Sequence, residues 1–311
     1  MKTKNNIRWA QALSLLLSIP LTVTTACSNT AATKIILSDL QPLPAAAANL
    51  ERPVVIAVAG TGLTQAFIES YQQLADYLGK YTGKTFELTL CPTYEEVNDL
   101  VRTGVAGVAF VNSGAYVEGQ QQFGMQALVA PEISGSTVQY SYIIVPAGSP
   151  SQSLTDLEDT TFACTSPLSD TGRLAPAYAL VQKGTSLETF FHRASYTYSD
   201  EKSIKAVAEF LYDGAAVNSL TYESMLAENP AIAAKTRIVE KFGPYQVSPV
   251  VVPPFIDVKL KNTVRDALLN ADKDEQGHLA LKSLGIDRFV MVQDGAYDGT
   301  REMAKKVWWT R

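Results

Sequence analysis

The segment SPLSDTGRLAP, residues 166–176, places hydroxyl groups, a carboxylate and a glycine at the start of a predicted helix. Ser169, Thr171 and Gly172 suit an anion cradle, because hydroxyls and free backbone N–H groups converge at the positive end of a helix. Asp170 stands between them, and a carboxylate about 4 Å from a bound anion costs roughly 4 kcal/mol at an effective dielectric of ~20. Asp170 therefore either caps the helix, with Arg173 as its ion-pair partner, or indicates a ligand that is not a simple anion.

A second acid, Asp200, precedes the helical segment EKSIKAV and raises the same two alternatives. As a helix cap it would accept hydrogen bonds from backbone N–H groups and point away from any ligand. If Asp170 and Asp200 both face a binding site instead, they exclude a dianion and favour a zwitterionic, neutral or cationic solute. The sequence leaves both alternatives open.

Short apolar runs alternate with helical patterns from Arg52 onward, and these elements must position the two acids. PVVIAVAG, residues 53–60, predicts a buried strand, and Phe67, Leu74 and Leu78 then recur at helical spacing. Further strands are predicted for FELTL, VAGVAFV, MQALVA, YSYIIVPA, TTFACT, ASYTYS, RIVEKFG and SPVVVPPF. Alternation of this kind predicts parallel sheets with crossover helices.

Ligands of such sheets bind beyond the carboxyl ends of the strands, so the strand-to-helix turns are the candidate site. The turns carry small, hydroxyl or amide residues, and they are Gly60–Gly62, Cys91–Glu95, Asn112–Gly114, Ser166–Gly172, Tyr198–Lys202 and Val217–Thr221. Thr61, Asn112 and Ser113 stand at strand ends as candidate hydrogen-bonding groups. The two histidines, His192 and His278, have no ligand-like neighbours, so we predict no metal site and no cofactor.

The composition fits one large domain or two lobes of ordinary size, since 46% of the 311 residues are hydrophobic and 18% are charged. A formal net charge of −5 argues against nucleic acid as a partner, because phosphate-backbone binding needs a basic surface. Cys91 and Cys164 both lie in or beside apolar strand-like runs. We interpret them as buried free thiols, although an exported protein would allow them to pair.

The N-terminus has the features of an export signal. Lys2, Lys4 and Arg8 precede an apolar run at residues 10–23, which is shorter than the ~20 apolar residues of a membrane-spanning helix. The run ends in TTACS, which resembles the lipobox of bacterial lipoproteins, although Thr24 stands where Leu is usual. We therefore predict a signal peptide at residues 1–26, a lipid on Cys27 and a flexible tether over residues 27–51. Plain signal cleavage near Ala26 is the alternative.

The order of these motifs resembles the phosphate-, phosphite- and phosphonate-type substrate-binding proteins of bacterial ABC importers. The resemblance covers about residues 52–307 and rests on YQQLADYLGKYTGKTFELTLCPTYEEVNDLVRTG, VAGVAFVNSGAY, YSYIIVPAGSPSQSLTDLEDTTFA, SPLSDTGRLAP, YSDEKSIKAV and YDGAAVNSLTYE. It implies a two-lobe α/β fold of the type II periplasmic binding protein class. Each lobe would hold a mostly parallel sheet flanked by helices, with two crossover strands at the hinge, near Tyr140–Pro146 and Phe242–Val250. Lobe one would comprise residues 52–139 and 247–311, and lobe two residues 140–246.

The resemblance also implies roles for individual residues. Ser169 and Thr171 match the family's anion cradle, and Tyr94 and Tyr140 match positions that line its cleft. The chain departs from the family at three positions, where Asp170 replaces a usual Thr, Asp200 a usual His and Asn218 a usual Asp. The predicted ligand-binding residues are Thr61, Tyr94, Asn112, Ser113, Tyr140, Ser169, Asp170, Thr171, Asp200 and Asn218.

The resemblance implies a lipid-anchored solute-binding protein in the periplasm or on the outer face of the cytoplasmic membrane. It would capture a small oxyanion or a phosphonate-like organic solute and deliver it to an ABC permease. A sensory binding protein that signals to a membrane receptor, with a changed ligand, is the first alternative. An enzyme on the same scaffold is the second, and it is disfavoured because neither Cys91 nor Cys164 has a histidine nearby in its motif.

Overall fold

Two β-sheets form the framework of the protein in a computed structural model, which describes residues 52–60 and 64–309. The strands in chain order are β1 (Val54–Ala59), β2 (Phe86–Cys91), β3 (Ala106–Phe110), β4 (Gln126–Glu132), β5 (Val138–Pro146), β6 (Thr161–Cys164), β7 (Arg193–Tyr196), β8 (Gly214–Asn218), β9 (Thr236–Gln246), β10 (Val250–Val252) and β11 (Arg288–Val290). The predicted alternation of strands and helices is thus present.

Helices cover the sheets and follow most of the strands. They are α1 (Gln65–Thr82), α2 (Tyr94–Thr103), α3 (Ser113–Phe123), α4 (Ala175–Val181), α5 (Leu187–Phe190), α6 (Asp200–Ala208), α7 (Ser219–Glu228), α8 (Pro230–Ala233), α9 (Val258–Asn270), α10 (Glu275–Ser283) and α11 (Asp298–Val307). A π-helical turn, Asp170–Leu174, leads directly into α4. Short 3₁₀ turns lie at Leu154–Leu157, Ala271–Lys273 and Asp294–Tyr297. Within the described residues, no helix combines the length and the hydropathy that crossing a membrane requires.

The first sheet has the strand order β11-β4-β10-β3-β1-β2. β1 pairs in parallel with β2 and β3, as the alternation predicts. β10 lies antiparallel between β3 and β4, and β11 pairs antiparallel with β4 at the edge. Val250–Val252 is therefore a strand as predicted, but the chain enters it in the reverse direction on its return from the second sheet.

The second sheet has the order β7-β6-β8-β5-β9, with β6 parallel to β7 and β8. β5 runs antiparallel to both of its neighbours. Helices and strands on the two sheets enclose separate sets of buried apolar side chains, with Ile56 and Leu74 in the first lobe and Ile143 and Phe162 in the second. Each sheet therefore has its own core, which is the two-lobe α/β architecture that the sequence predicts.

The chain crosses between the sheets twice, from β4 to β5 and from β9 back to β10. β5 and β9 pair from the crossing onward, beginning with Val138 opposite Gln246. The segment Tyr140–Pro146, which we had expected to form one of the crossings, lies inside β5. The lobe boundaries at residues 139/140 and 246/247 stay predictions.

The C-terminal helix α11 holds the two lobes together on one side. It packs against α3 of the first lobe and α4 of the second. Leu174, at the end of the π-helical turn, and Ala175, at the start of α4, belong to the same buried cluster as Tyr297 and Met303. The Tyr178 hydroxyl adds a hydrogen bond of 3.1 Å to the Glu302 carboxylate.

Cys91 and Cys164 end strands in different sheets, and both are buried free thiols, which confirms our interpretation.

The backbones of the two lobes approach each other closely at Gly114, in the first turn of α3. A Cβ atom at this position would lie 2.2 Å from the carbonyl oxygen of Leu168, in the loop that precedes the π-helical turn. No side chain fits such a separation, so glycine is required for this contact between the lobes.

We expect Gly114→Ala to lower the free energy of unfolding by about 1–3 kcal/mol, because the Leu168 loop must shift to admit the methyl group. Thermal and urea unfolding of the purified protein measure this change. Gly148→Ala is the matched control, because a Cβ atom there has no other atom within 4 Å. Equal melting temperatures for Gly114→Ala and Gly148→Ala would contradict the close approach.

Candidate functional site

A cavity of about 240 Å³ lies where strand-to-helix turns of both lobes meet, and we call it the polar chamber. The first lobe and the return crossing contribute Tyr94, Asn112 and Ser248. The second lobe contributes Thr165, Ser166, Ser169, Asp170, Thr171, Tyr198, Ser199, Asp200, Asn218 and Thr221. Among these described lining residues, none has a basic side chain, whereas two are aspartates.

Seven of the ten predicted ligand-binding residues line this chamber. They are Tyr94, Asn112, Ser169, Asp170, Thr171, Asp200 and Asn218. Thr61 and the predicted lipid-attachment residue Cys27 lie outside the residues that the structure describes. The structure thus gathers predicted residues from five separate turns, while their contact with a ligand stays a prediction.

The other two predicted residues, Ser113 and Tyr140, are absent from the chamber lining. Ser113 is fully buried, and its hydroxyl donates to the Gln246 carbonyl at 2.9 Å, so it holds the return crossing against α3. The backbone N–H of Tyr140 donates to the Ser219 hydroxyl, and the Tyr140 ring stacks on Tyr142 within the second lobe. Tertiary packing places both side chains outside the chamber lining, and the local sequence does not reveal that packing.

Side chains at the turns serve first as helix caps. Ser169 accepts a hydrogen bond from the Gly172 N–H, and Ser199 accepts one from the Lys202 N–H. Asn112 caps α3 in the same way, by accepting from the Ala115 N–H at 2.7 Å. The cap interpretation is therefore wrong for Asp170 and Asp200, because a serine directly before each acid takes the cap position.

Asp170 is almost completely buried, with 1% of its surface exposed. One carboxylate oxygen accepts a hydrogen bond of 2.8 Å from the Gln139 amide. Burial raises the pKa of Asp170 to about 6, although hydrogen bonds from Gln139 and from the backbone N–H groups of Asp170 and Thr171 act in the opposite direction. The predicted ion pair with Arg173 does not form, since that guanidinium contacts Tyr196 and Glu188 instead.

The carboxylate of Asp170 thus occupies the cradle that the sequence assigned to an external anion. The backbone N–H groups of residues 170 and 171 stabilise this carboxylate and lower its pKa, and Ser169 accepts a hydrogen bond from the Gly172 N–H as a cap. The turn keeps the arrangement of an anion cradle, but its backbone N–H groups already interact with the side chains of Asp170 and Ser169.

Asp200 is half-buried and faces the same chamber. Its Oδ1 atom accepts a hydrogen bond of 2.8 Å from the backbone N–H of Asn218. Desolvation, together with the charges of Asp170 and Glu201, raises the pKa of Asp200 to about 6, although the hydrogen bond from Asn218 acts in the opposite direction. Two acids of ordinary pKa near 4 are therefore poised to titrate close to neutral pH.

Gln139 joins the two acids, and sequence reasoning missed it. Its amide nitrogen donates to Asp170, and its carbonyl oxygen accepts from the Asn218 side chain at 2.8 Å. Asn218 in turn donates its backbone N–H to Asp200. Gln139 lies inside strand β5 and belongs to no turn, so only the tertiary structure could identify it.

Two hydroxyl groups of the chamber have no hydrogen-bond partner within the described residues. They are Thr165 Oγ1 and Ser166 Oγ, and each residue is 4% exposed. A buried hydroxyl without a partner costs about 1–3 kcal/mol, so these two groups are available to a bound solute. Ser166 begins the SPLSDTGRLAP segment, so attention to every hydroxyl of that turn could have identified it.

An apolar recess of about 340 Å³ adjoins the polar chamber. Tyr94 and Ser248 line both spaces. The walls of the apolar recess include Phe67, Tyr71 and Phe110, whose rings stack edge to face or at a tilt. No group of three His, Cys, Asp or Glu side chains in residues 52–60 and 64–309 could hold a metal ion.

Comparisons with known proteins give a family match and several similar solved structures. Residues 56–297 match the family model described as "ABC transporter, phosphonate, periplasmic substrate-binding protein". A binding-protein component of an ABC phosphonate transporter from Pseudomonas aeruginosa is similar in structure, with a TM-score of 0.73 and 19% identity over 81% of this chain and 86% of that one.

Two further solved structures are similar to this chain. PhnD1 from Prochlorococcus marinus in complex with methylphosphonate has a TM-score of 0.72 and 19% identity, over 81% of this chain and 97% of that one. The aliphatic sulphonate binding protein SsuA from Escherichia coli has a TM-score of 0.52 and 14% identity, over 82% and 92%. These likenesses confirm the predicted type II periplasmic binding protein fold.

We expect Asp200→Asn to stabilise the protein at pH 7.5 by about 1–2 kcal/mol, since one pKa unit corresponds to about 1.36 kcal/mol and partial exposure weakens the effect. The folded-state pKa of Asp200 is raised, so its ionisation opposes folding above pH 6, and this penalty disappears as the pH falls below about 4. The asparagine oxygen still accepts from the Asn218 N–H. Urea unfolding between pH 4 and pH 8 measures both the gain and the flatter pH profile.

Asp76→Asn is the control, because Asp76 is an exposed acid on α1. We expect this variant to follow the pH profile of the wild-type protein. A wild-type profile for Asp200→Asn as well would show that the Asp200 carboxylate is not desolvated.

Proposed function

Since the chain belongs to the family of phosphonate ABC-transporter periplasmic substrate-binding proteins, we propose that it captures a small solute in the polar chamber for an ABC importer. The observation that carries the proposal is the pair of buried, unpartnered hydroxyls, Thr165 Oγ1 and Ser166 Oγ, in that chamber. A protein retains such groups at a cost in stability when a ligand satisfies them.

The position of the chamber supports capture by lobe closure. Tyr94 and Asn112 come from the first lobe, whereas Ser166, Asp200 and Thr221 come from the second. A solute in the chamber therefore contacts both lobes and stabilises their closed arrangement. A membrane permease then distinguishes the closed, loaded protein from the open, empty one.

The solute we propose is small and organic. PhnD1, which has a similar structure, is described in complex with methylphosphonate, and this supports a solute of that size class. The apolar recess next to the polar chamber offers space for a carbon substituent. The two acids, Asp170 and Asp200, decide which charge the solute carries.

Ligand binding gives the first test. A solute at about 100 times its dissociation constant adds roughly 2.7 kcal/mol to stability, which is a rise of about 5 °C or more in melting temperature. We therefore propose thermal-shift screening of the purified full chain with phosphonates, phosphate, phosphite, sulfate, amines and uncharged metabolites. Failure of every solute to raise the melting temperature would contradict solute capture.

Ser166→Ala separates binding from stability. The free variant should be as stable as the wild type or slightly more stable, because an unsatisfied buried hydroxyl is removed. Its affinity for the solute identified by screening should fall about tenfold, since a bond to the ligand is lost. Ser224→Ala, at an exposed serine on α7, should change neither quantity. Unchanged affinity in Ser166→Ala would remove this hydroxyl from the site.

We also propose that the protein is attached to the membrane through a lipid on Cys27, which lies outside the described residues. The family is periplasmic, which implies export of the chain. Cys27→Ser should abolish both incorporation of labelled fatty acid and partition into detergent, because the serine hydroxyl is a much weaker nucleophile than a thiolate. Ser28→Ala, which keeps the cysteine, should retain both. Labelling of Cys27→Ser at the wild-type level would contradict the lipid anchor.

A further inference from the structure

Several backbone N–H groups around the polar chamber are already used by the protein. The Gln139 amide donates to the Asp170 carboxylate, and the Asn218 N–H donates to Asp200. The N–H groups of Ala115 and Gly172 are bound by the capping side chains of α3 and the π-helical turn. An oxyanion entering the chamber would therefore find few backbone donors at the helix starts.

The groups that remain are a carboxylate oxygen and hydroxyl groups. Within the described residues, the hydrogen bond given to the Asp200 carboxylate comes from Asn218 alone, so its second oxygen is open to a ligand. Thr165 Oγ1 and Ser166 Oγ are buried, unpartnered and able to accept as well as donate. The nearby basic residue Arg173 is directed at Tyr196 and Glu188.

Electrostatics favours a cationic ligand. Asp170 and Asp200 interact with each other, so their combined negative charge repels an anion and attracts a cation. Tyr94 lines the chamber beside them, and an aromatic side chain at this position allows cation–π contact with a bound cation. A cation also relieves the repulsion between the two carboxylates.

The apolar recess defines the other end of the ligand. It adjoins the polar chamber at Tyr94 and Ser248, and its walls include Phe67, Phe110 and Ile286. Chamber and recess together have the capacity of a typical site for a small organic molecule. A ligand that fills both has a charged head and a compact apolar substituent.

We propose that the ligand is a small organic ammonium ion whose nitrogen contacts Asp200 beside Asp170 and whose apolar substituent enters the apolar recess. This inference rests on the proposed function of solute capture and changes the charge of the solute from the one that the family scaffold suggests. The hydroxyls of Thr165 and Ser166 accept further N–H bonds from the ligand or bind its polar substituents.

The test compares ligands of different charge, and one pair of probes, 2-phenylethylamine and 2-phenylethanol, is matched in size. Isothermal titration calorimetry on the purified full chain at pH 7.5 would use 2-phenylethylamine, its neutral isostere 2-phenylethanol, choline, methylphosphonate and 2-aminoethylphosphonate. We expect at least one of the two ammonium ions without phosphonate, 2-phenylethylamine or choline, to bind at least tenfold more tightly than 2-phenylethanol and both phosphonates. Asp200→Asn should remove most of this preference, whereas Asp76→Asn should retain it.

The pH dependence of the wild-type protein gives a second, independent readout. Ammonium affinity should rise several-fold from pH 5 to pH 7.5 as the two acids ionise, since an alkylammonium stays protonated throughout. The other titratable groups near the acids are Tyr94, Tyr245, Tyr297 and Glu201. Burial raises the pKa of the three tyrosines, so they stay neutral over this range.

The outcomes distinguish this inference from the proposed function. Tighter binding of either phosphonate than of both ammonium ions, or an affinity that falls as the pH rises, would overturn the ammonium ligand and leave solute capture intact. An unchanged preference in Asp200→Asn would overturn the role of that acid. If none of the probes binds, and the wider screen gives no ligand, both proposals fail.

Discussion

The buried carboxylate of Asp170 requires hydrogen-bond donors, and the geometry of the polar chamber depends on how the protein supplies them. Removing a carboxylate from water without donors costs several kcal/mol, and the Gln139 amide, which donates to Asp170, offsets part of that cost. Gln139 is oriented by Asn218, which also binds Asp200. One buried charge therefore couples strands β5 and β8 to the turn that begins α4.

This coupling also supports the proposal that the scaffold binds a ligand of different charge here. The two-lobe fold and its strand-to-helix turns are those of a phosphonate-binding family, and the turns still provide the hydroxyls of an anion cradle. At this site the protein's own carboxylate takes the place of an external anion. In the proposals made above, the fold preserves where a ligand enters, while a few side chains at the turns determine its charge.

Much of the fold was predictable because the signals are local. Buried strands such as β1 and helices such as α1 have the expected periodicity, and the turns between them have capping residues. The short edge strand β11 and the reversed direction of β10 were not predicted. Both depend on partners distant in the chain, since β10 enters the first sheet from the second lobe.

The candidate site, like the fold, was predictable in part. The sequence by itself determined which turns carry hydroxyl, amide and acidic groups, because residue type and position after a strand are properties of the local chain. Only the tertiary structure decided that Ser169 and Ser199 cap the helices, that Gln139 binds Asp170, and that Thr165 and Ser166 lack partners. Burial and hydrogen-bond pairing arise where segments far apart in sequence meet. These two properties determine the charge of the chamber and which of its polar groups have no hydrogen-bond partner.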